Sequence, residues 1–463
     1  MVPDAVLWFR RDLRLADHPA LLAARERAGV DGRVVALFVD DARLRRTSGP
    51  ARLSFLSGCL AALDADLATC GGRLVVRRGD PVDVIPEVAT EVEAASVLVS
   101  ADFAPYGSDR DERVESALGT VPLERVGSPY AVDPGAVRKS DGTPFKVYTP
   151  YWRAWRGHGW DPPAPRPERG SIRWADGLRS DGIPPPPPQS EVRKDLPVAG
   201  EAAALDALAA FLDGPVADYA RHRDRPDLAA TSRLSPWLKW GCLHPRTILA
   251  ALSEVEAGEG PTTFEKEVAW REFYADVLFH APWTARESLV ASMRKMRFDS
   301  GPEAEDRYVA WCEGRTGYPI VDAGMRQLVA TGWMHNRVRM IVASFFVKDL
   351  HLDWTRGARF FMHHLVDGDL ASNAHGWQWT AGTGTDASPY YRVFNPITQG
   401  VKFDPEGDYV RRWVPELATL DGAAIHTPWA KGGVDAYPAP IVDHGVEREE
   451  ALARLAEIKA GPI

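Results

Sequence analysis

Residues 5–21, AVLWFRRDLRLADHPAL, join a short apolar run to a polar crossing and a helix start. Residues 5–9 are uninterrupted apolar side chains, the pattern of a strand buried on both faces. Asp17 is placed to cap the following helix, with Pro19 in its first turn, where a missing N–H costs nothing. The same run recurs in RVVALFV (33–39), RLVVRR (73–78) and SVLVS (96–100), separated by segments rich in Ala and Leu. Such a βαβ series predicts a doubly wound parallel sheet. No G-x-G-x-x-G follows the first strand, so the sheet lacks the usual dinucleotide fingerprint.

Beyond residue 130 the periodicity fades, and DGIPPPPPQS (181–190) carries consecutive prolines that only an extended chain accommodates. From about residue 200 the pattern is helical, as in AAALDALAAFL (202–212) and AGMRQLVATGWMHNRVRMIVASFF (323–346). The expected organisation is an α/β domain over 1–130, an extended interdomain linker over 131–200 and an all-α domain over 201–463.

The chain has 463 residues, 45% of them hydrophobic, ample for large buried cores. Its apolar runs are too short to span a bilayer, and the first thirty residues carry arginines without a signal-peptide core, which predicts a cytoplasmic protein without a membrane partner. Cys59, Cys70, Cys242 and Cys312 show no C-x-x-C spacing, so neither a disulfide framework nor a zinc site is expected. A formal charge of -9 argues against indiscriminate coating of nucleic acid, yet six basic residues face two acidic ones between Arg221 and Arg246. Of 16 tryptophans only Trp8 precedes residue 151, so ring-rich chemistry belongs to the helical part.

Within TSRLSPWLKWG (231–241), Ser235 followed by Pro236 reads as an N-cap and first helical position. With Thr231, Ser232 and Arg233 nearby, this start would suit an anion such as pyrophosphate; the alternative is a capped helix that binds nothing. Glu267, Trp270, Arg271 and Tyr274 follow i, i+3, i+4, i+7 spacing, which sets an acid, a cation and two rings on one face. Such a face would stack on a flat polar ligand and address its edges, unless Glu267 and Arg271 form an internal pair. Trp333, Asn336 and Met340 form a similar stripe, in which a buried Asn336 would need polar partners. Asp367 and Asp369 do not complete a calcium loop, so no metal is expected. The G-x-G-x-x-A at 382–387 has no preceding strand and is read as a polar connection.

These motifs resemble the photolyase/cryptochrome family, and within it the class I cyclobutane pyrimidine dimer photolyases. The resemblance runs through WFRRDLRLADHPAL, TSRLSPWLKWG, WREFY, TGYPIVDAGMRQLVATGWMHNRVRM, ASFFVKDL and DGDLASNAHGWQWTAGTGTDASPYYRVFNPITQG, nearly the whole chain. It implies an antenna-bearing sheet domain and a helical cup around one FAD, reduced and anionic when active. By the same resemblance Tyr219, Thr231, Ser232, Arg233, Leu234, Ser235, Arg339, Asp367, Gly368 and Asp369 hold the FAD, with Arg339 paired to Asp367. Asn373 would stand near flavin N5, where a neutral amide bonds without supplying a proton.

The resemblance further implies that a flipped-out dimer enters the cup. Glu267, Trp270, Arg271, Tyr274, Asn336, Met340 and Trp379 match the lesion pocket, and Arg223, Arg392 and Gln399 match DNA-contacting positions. The implied partner is UV-damaged DNA, the implied reaction dimer splitting by electron transfer, and the implied state a monomer. Alternatives within the family are a cryptochrome-like blue-light receptor and a (6-4) photolyase. Trp377 and Trp354 match the inner members of the family's electron relay. No tryptophan fills its outer place in FDSGPEAEDRYVAW (298–311), where Tyr308 or Trp311 are candidates. Asp109 and Arg110 resemble the deazaflavin antenna pattern, with methenyltetrahydrofolate or an empty site as alternatives.

Overall fold

The computed structural model describes residues 4–188, 195–385 and 391–460. Strands β1 (Asp4–Phe9), β2 (Val34–Asp40), β3 (Leu74–Arg78), β4 (Ala94–Val99) and β5 (Leu123–Arg125) form a parallel sheet in the order β3-β2-β1-β4-β5. Register places Leu7 beside Ala36 and Leu98, and Val6 beside Val35 and Val97, so successive residues serve opposite faces. One face packs Leu7, Phe9, Ala36 and Phe38 against helices Pro19–Ala28 and Pro50–Thr69. The other packs Val6, Trp8, Val35 and Leu37 against helices Pro81–Glu91 and Pro105–Leu118. Burial on both sides explains why these strands read as continuous apolar runs. The strand β5 escaped sequence reading because it is three residues long and reads Leu-Glu-Arg.

The predicted cap at Asp17 is corrected. His18 caps the helix, its ring accepting from the Leu21 amide, and Pro19 takes the first helical position as expected. Asp17 instead accepts from the Ala164 amide, Arg246 and Thr247, which stand in the linker and the helical domain. The linker is not extended throughout either: Tyr148–His158 is a helix. Its Tyr148, Tyr151 and Trp155 recur at i, i+3, i+7 and bury against helix Glu259–His280, where Trp155 donates to Glu272 at 2.6 Å. Residues 184–188, the proline run, form no regular element.

Helix Pro319–Thr331 ends at Gly332, whose φ of 73° only glycine adopts without strain, and helix Asn336–Lys348 begins four residues on. The stretch read as one amphipathic segment is therefore two helices, and Trp333 lies between them. A second core, built on Trp311, Phe345, Phe346 and Trp377, fills the distal half of the helical domain. The core of the β1 face continues through Phe264, Val268 and Phe273, so the sheet and the proximal helices share one interior. No helix among the described residues is long and apolar enough to cross a membrane.

Candidate cofactor cup and nucleic-acid interface

The loop between helices Trp354–His364 and Leu370–Ala381 organises the cup. Asp367 accepts from the Ser235 hydroxyl at 2.6 Å and from Arg339 at 2.8 Å through one oxygen, Oδ2. Ser235 is therefore not an N-cap: Leu234 holds that place, Ser235 opens a helix of six residues, and its hydroxyl is spent on Asp367. Arg339 also donates to the Met334 carbonyl, which fixes the guanidinium between two segments. Asp369 pairs with Arg11 of the sheet domain at 2.7 Å and caps helix Leu370–Ala381 through the Ser372 amide. Burial alone would raise the Asp369 pKa, but Arg11, Lys239 and Arg271 hold it well below the usual carboxylate range. The two aspartates thus diverge to different arginines. A Cβ on Gly368 would meet Arg52 Nη1 at 2.0 Å, so a larger residue there would push the Arg52 guanidinium out of place.

The cup fits a ligand that carries donors. Asp367 Oδ1 is buried with no protein partner, although an unpaired carboxylate oxygen is costly to bury. Of the other predicted cofactor residues Thr231 and Ser232 are half-buried and Tyr219 and Leu234 buried, while burial and Arg11 lower the pKa of the neighbouring Lys239 ammonium to about 7. Arg233 is exposed and lies over the Trp333 ring at 4.2 Å. The Asn373 Nδ2 donates to the Ala358 carbonyl at 3.0 Å, which orients the amide. Arg11 and Arg52, missed by sequence reading, reach the loop from the sheet domain, and no local pattern marks them.

On the open side, Glu267 pairs with Arg223 at 2.5 Å and not with Arg271, so the internal-pair alternative fails. Burial raises the Glu267 pKa, opposed by Arg223. The Arg271 guanidinium turns the other way, donating to the Pro129 and Leu238 carbonyls and lying over Tyr130. The cation thus sits half-buried at the domain seam. Trp270 stacks on Tyr148 with centroids 3.7 Å apart and planes 8° apart, while Tyr274 stacks on His375. Asn336 is exposed, contrary to the buried stripe expected, because it opens its helix at the rim and Trp333 precedes that helix. Met340 and Trp379 are half-buried, whereas Trp377 and Trp354 lie in the core. Arg392 and Gln399 line a groove with Asn395 and Arg448, a basic residue far from every motif. Residues 386 and 387 of the glycine motif lie outside the described residues; Gly382 closes helix Leu370–Ala381.

At the carboxyl ends of β1 and β4, where strand order reverses, Arg110 binds Asp111 at 2.8 Å and lies over Trp8 and Tyr106. Arg10 covers the same Trp8 ring and reaches Asp111. Asp109 does not join them. Adjacent helix positions are about 100° apart, so Arg110 faces inward and Asp109 is exposed beside Arg113. Reversal points of this kind are where open α/β sheets bind ligands.

Sheet and cup together define a two-part protein, a parallel sheet domain joined to a helical domain whose loop gathers Asp367 and Asp369. Residues 5–168 match the DNA photolyase family model, and residues 264–457 match the FAD binding domain of DNA photolyase. A deoxyribodipyrimidine photo-lyase of Halobacterium salinarum is 41% identical, covering 97% of this chain and 98% of its own. A class III photolyase structure from Agrobacterium tumefaciens superposes with TM-score 0.91 at 39% identity, covering 100% of this chain and 98% of its own. A Synechocystis cryptochrome superposes at 0.88 with 28% identity, covering 97% and 99%. The chain belongs to the photolyase/cryptochrome family.

Proposed function

We propose that the protein is a light-dependent DNA-repair lyase that splits cyclobutane pyrimidine dimers, with FAD held in the cup. The observation that carries this reading is the open aromatic shelf: Trp270, backed by Tyr148, stands beside the Glu267–Arg223 pair at the cup's mouth. When bound, reduced FAD supplies an electron to the dimer under light and recovers it after ring opening. The chain's own residues bind and orient. Asp367, fixed by Ser235 and Arg339, offers its unpaired oxygen to a flavin donor, while Tyr219, Thr231, Ser232, Arg233, Leu234, Gly368 and Asp369 complete the seat. The Asn373 amide leaves its carbonyl oxygen to accept near N5, which favours an anionic reduced flavin because it offers no acid.

A dimer flipped from the stack costs less to unpair than intact bases. Trp270 and Trp379 pack on its faces, Glu267 and Asn336 hydrogen-bond its polar edges, and Met340 fills the remaining wall. Those bonds count most where negative charge develops on the dimer. Arg223, Tyr274, Arg392 and Gln399 face the DNA strand. By the resemblance of Asp109 and Arg110 the antenna at the sheet's reversal point is a deazaflavin; Arg110, held by Asp111, lies over Trp8 there. The chain acts as a monomer.

The test is a dimer-containing oligonucleotide mixed with chemically reduced holoprotein under blue light, with intact pyrimidines counted by chromatography. Light-dependent loss of dimers is expected. Dimers left intact would turn the reading to a light sensor, and cleavage confined to (6-4) products would turn it to the other photolyase specificity.

A further inference from the structure

We propose that Lys348 is a positioning residue for DNA binding: its buried amine holds the segment 391–394 so that the Arg392 guanidinium faces the DNA strand. This rests on the reading that the groove of Arg392 and Gln399 receives DNA. Residues 391–394 belong to no helix or strand, and among the described residues their backbone is tied to helix Asn336–Lys348 at two points. The Lys348 amine donates to the Arg392 carbonyl and lies over the Tyr391 ring at 4.3 Å, while the Phe394 amide donates to the Ser344 hydroxyl at 3.3 Å. Tyr391 in turn lies against Gly382, which closes the helix that carries Trp379; a side-chain carbon on that glycine would meet the ring at 3.0 Å.

Lys348 is only 3% exposed, yet among the described residues no carboxylate stands within ion-pair distance of its amine: the neighbouring Asp349 pairs with His444 instead. An apolar side chain of similar length would fill the same space without the desolvation cost. What the amine adds is a fixed donor for a segment with no hydrogen-bond ladder of its own. Asn336, Met340, Ser344 and Lys348 also recur every four residues along one helix, a row that drifts by only about 40° per step. The row starts at the rim with the two residues read as facing the lesion and ends on the two that hold the strand-facing segment.

The Arg392 side chain is exposed and has no carboxylate partner among the described residues, so its guanidinium is available to a phosphate. Fixing its carbonyl sets the rotation of the backbone from which that guanidinium projects. It also removes motion that binding would otherwise have to freeze, which raises affinity although Lys348 itself touches no DNA.

The test uses the full-length, FAD-loaded protein with two oligonucleotides, one carrying a single cyclobutane dimer and one undamaged, and reads affinity by fluorescence anisotropy. Lys348→Met should weaken binding of the dimer oligonucleotide by about fivefold to tenfold, and Lys348→Arg, which keeps a cationic donor, should return it to within about twofold of wild type. A double-mutant cycle decides whether the amine acts through Arg392: once Arg392→Ala is in place, Lys348→Met should add less than about twofold. At saturating DNA the repair yield per photon of Lys348→Met should stay within about twofold of wild type, because the tether sets strand binding and not the splitting step. FAD content and melting temperature report folding; if Lys348→Met lost its flavin, Ser344→Ala, which removes the other tether, would carry the cycle with an expected loss of about threefold. Wild-type affinity in the tether variants, or losses that add in full to that of Arg392→Ala, overturns the proposal. Wild-type protein that bound both oligonucleotides alike would strike the repair reading instead, and the same cycle on undamaged DNA would still decide the tether.

Discussion

At the residue scale, two side chains show how position and partner together fix a role. Asp367 spends one oxygen on Ser235 and Arg339 and keeps the other unpaired in a buried place. Asp367→Asn keeps the shape but removes the charge that holds Arg339, and should release FAD; retained FAD on gel filtration would contradict the seat. Trp270 has one face on Tyr148 and is only half-buried. Its replacement by Ala should weaken binding of dimer-containing DNA by about 1 to 3 kcal/mol, the worth of one stacked base, with FAD still bound. Equal affinities by fluorescence anisotropy would remove Trp270 from the lesion site. The i, i+3, i+4 spacing in the sequence was enough to set Trp270 and Glu267 on one helix face. It could not find that Glu267 pairs with Arg223, because that partner lies 44 residues away and the pairing depends on how two segments cross.

At the element scale, the break at Gly332 positions both the rim and the cofactor loop. Its carbonyl accepts from the Val366 amide at 2.8 Å, so the turn between two helices is tied to the loop of Asp367. A Cβ there would meet Ala51 Cβ at 2.8 Å as well as strain a positive φ. Gly332→Ala should cost about 1 to 2 kcal/mol, read by urea denaturation, and lower FAD retention; an unchanged midpoint would refute the strain. Helix Asn336–Lys348 ends on Lys348, which is buried, donates to the Arg392 carbonyl and lies over Tyr391. Burial lowers its pKa from 10.5 to about 7, opposed by Asp349. The folded state then binds this proton less tightly than the unfolded chain. Its stabilising contribution is full above the unfolded value and is lost as pH falls toward 7. Denaturation at pH 7 and pH 9 should show stability rising more steeply in wild type than in Lys348→Met, by up to about 1.4 kcal/mol per pH unit. Parallel slopes would rule out the titration.

At the scale of the whole molecule, the sheet and helical domains act as one body because buried polar bonds stitch a shared core. Asp17 holds Ala164, Arg246 and Thr247; Glu201 accepts from the Leu15 and Ala16 amides; Glu272 accepts from the Ala131 and Val132 amides. Asp17→Ala leaves the largely covered Arg246 and the buried His244 without their carboxylate and should cost about 3 to 5 kcal/mol. A loss under about 1 kcal/mol in guanidinium titration would mean the seam tolerates the gap. Four of the five strands and the helical domain were legible in the chain, because burial on both faces and helical periodicity leave a local trace. The sequence by itself determined which segments become strands and helices and which residue types crowd the cup. Tertiary structure alone decided that Asp17 bridges domains, that Ser235 serves Asp367, that Arg271 turns to the seam and that Arg11 and Arg52 guard the cofactor loop. Those roles arise from contacts between segments far apart in the chain, and no periodicity encodes a partner that only folding brings near.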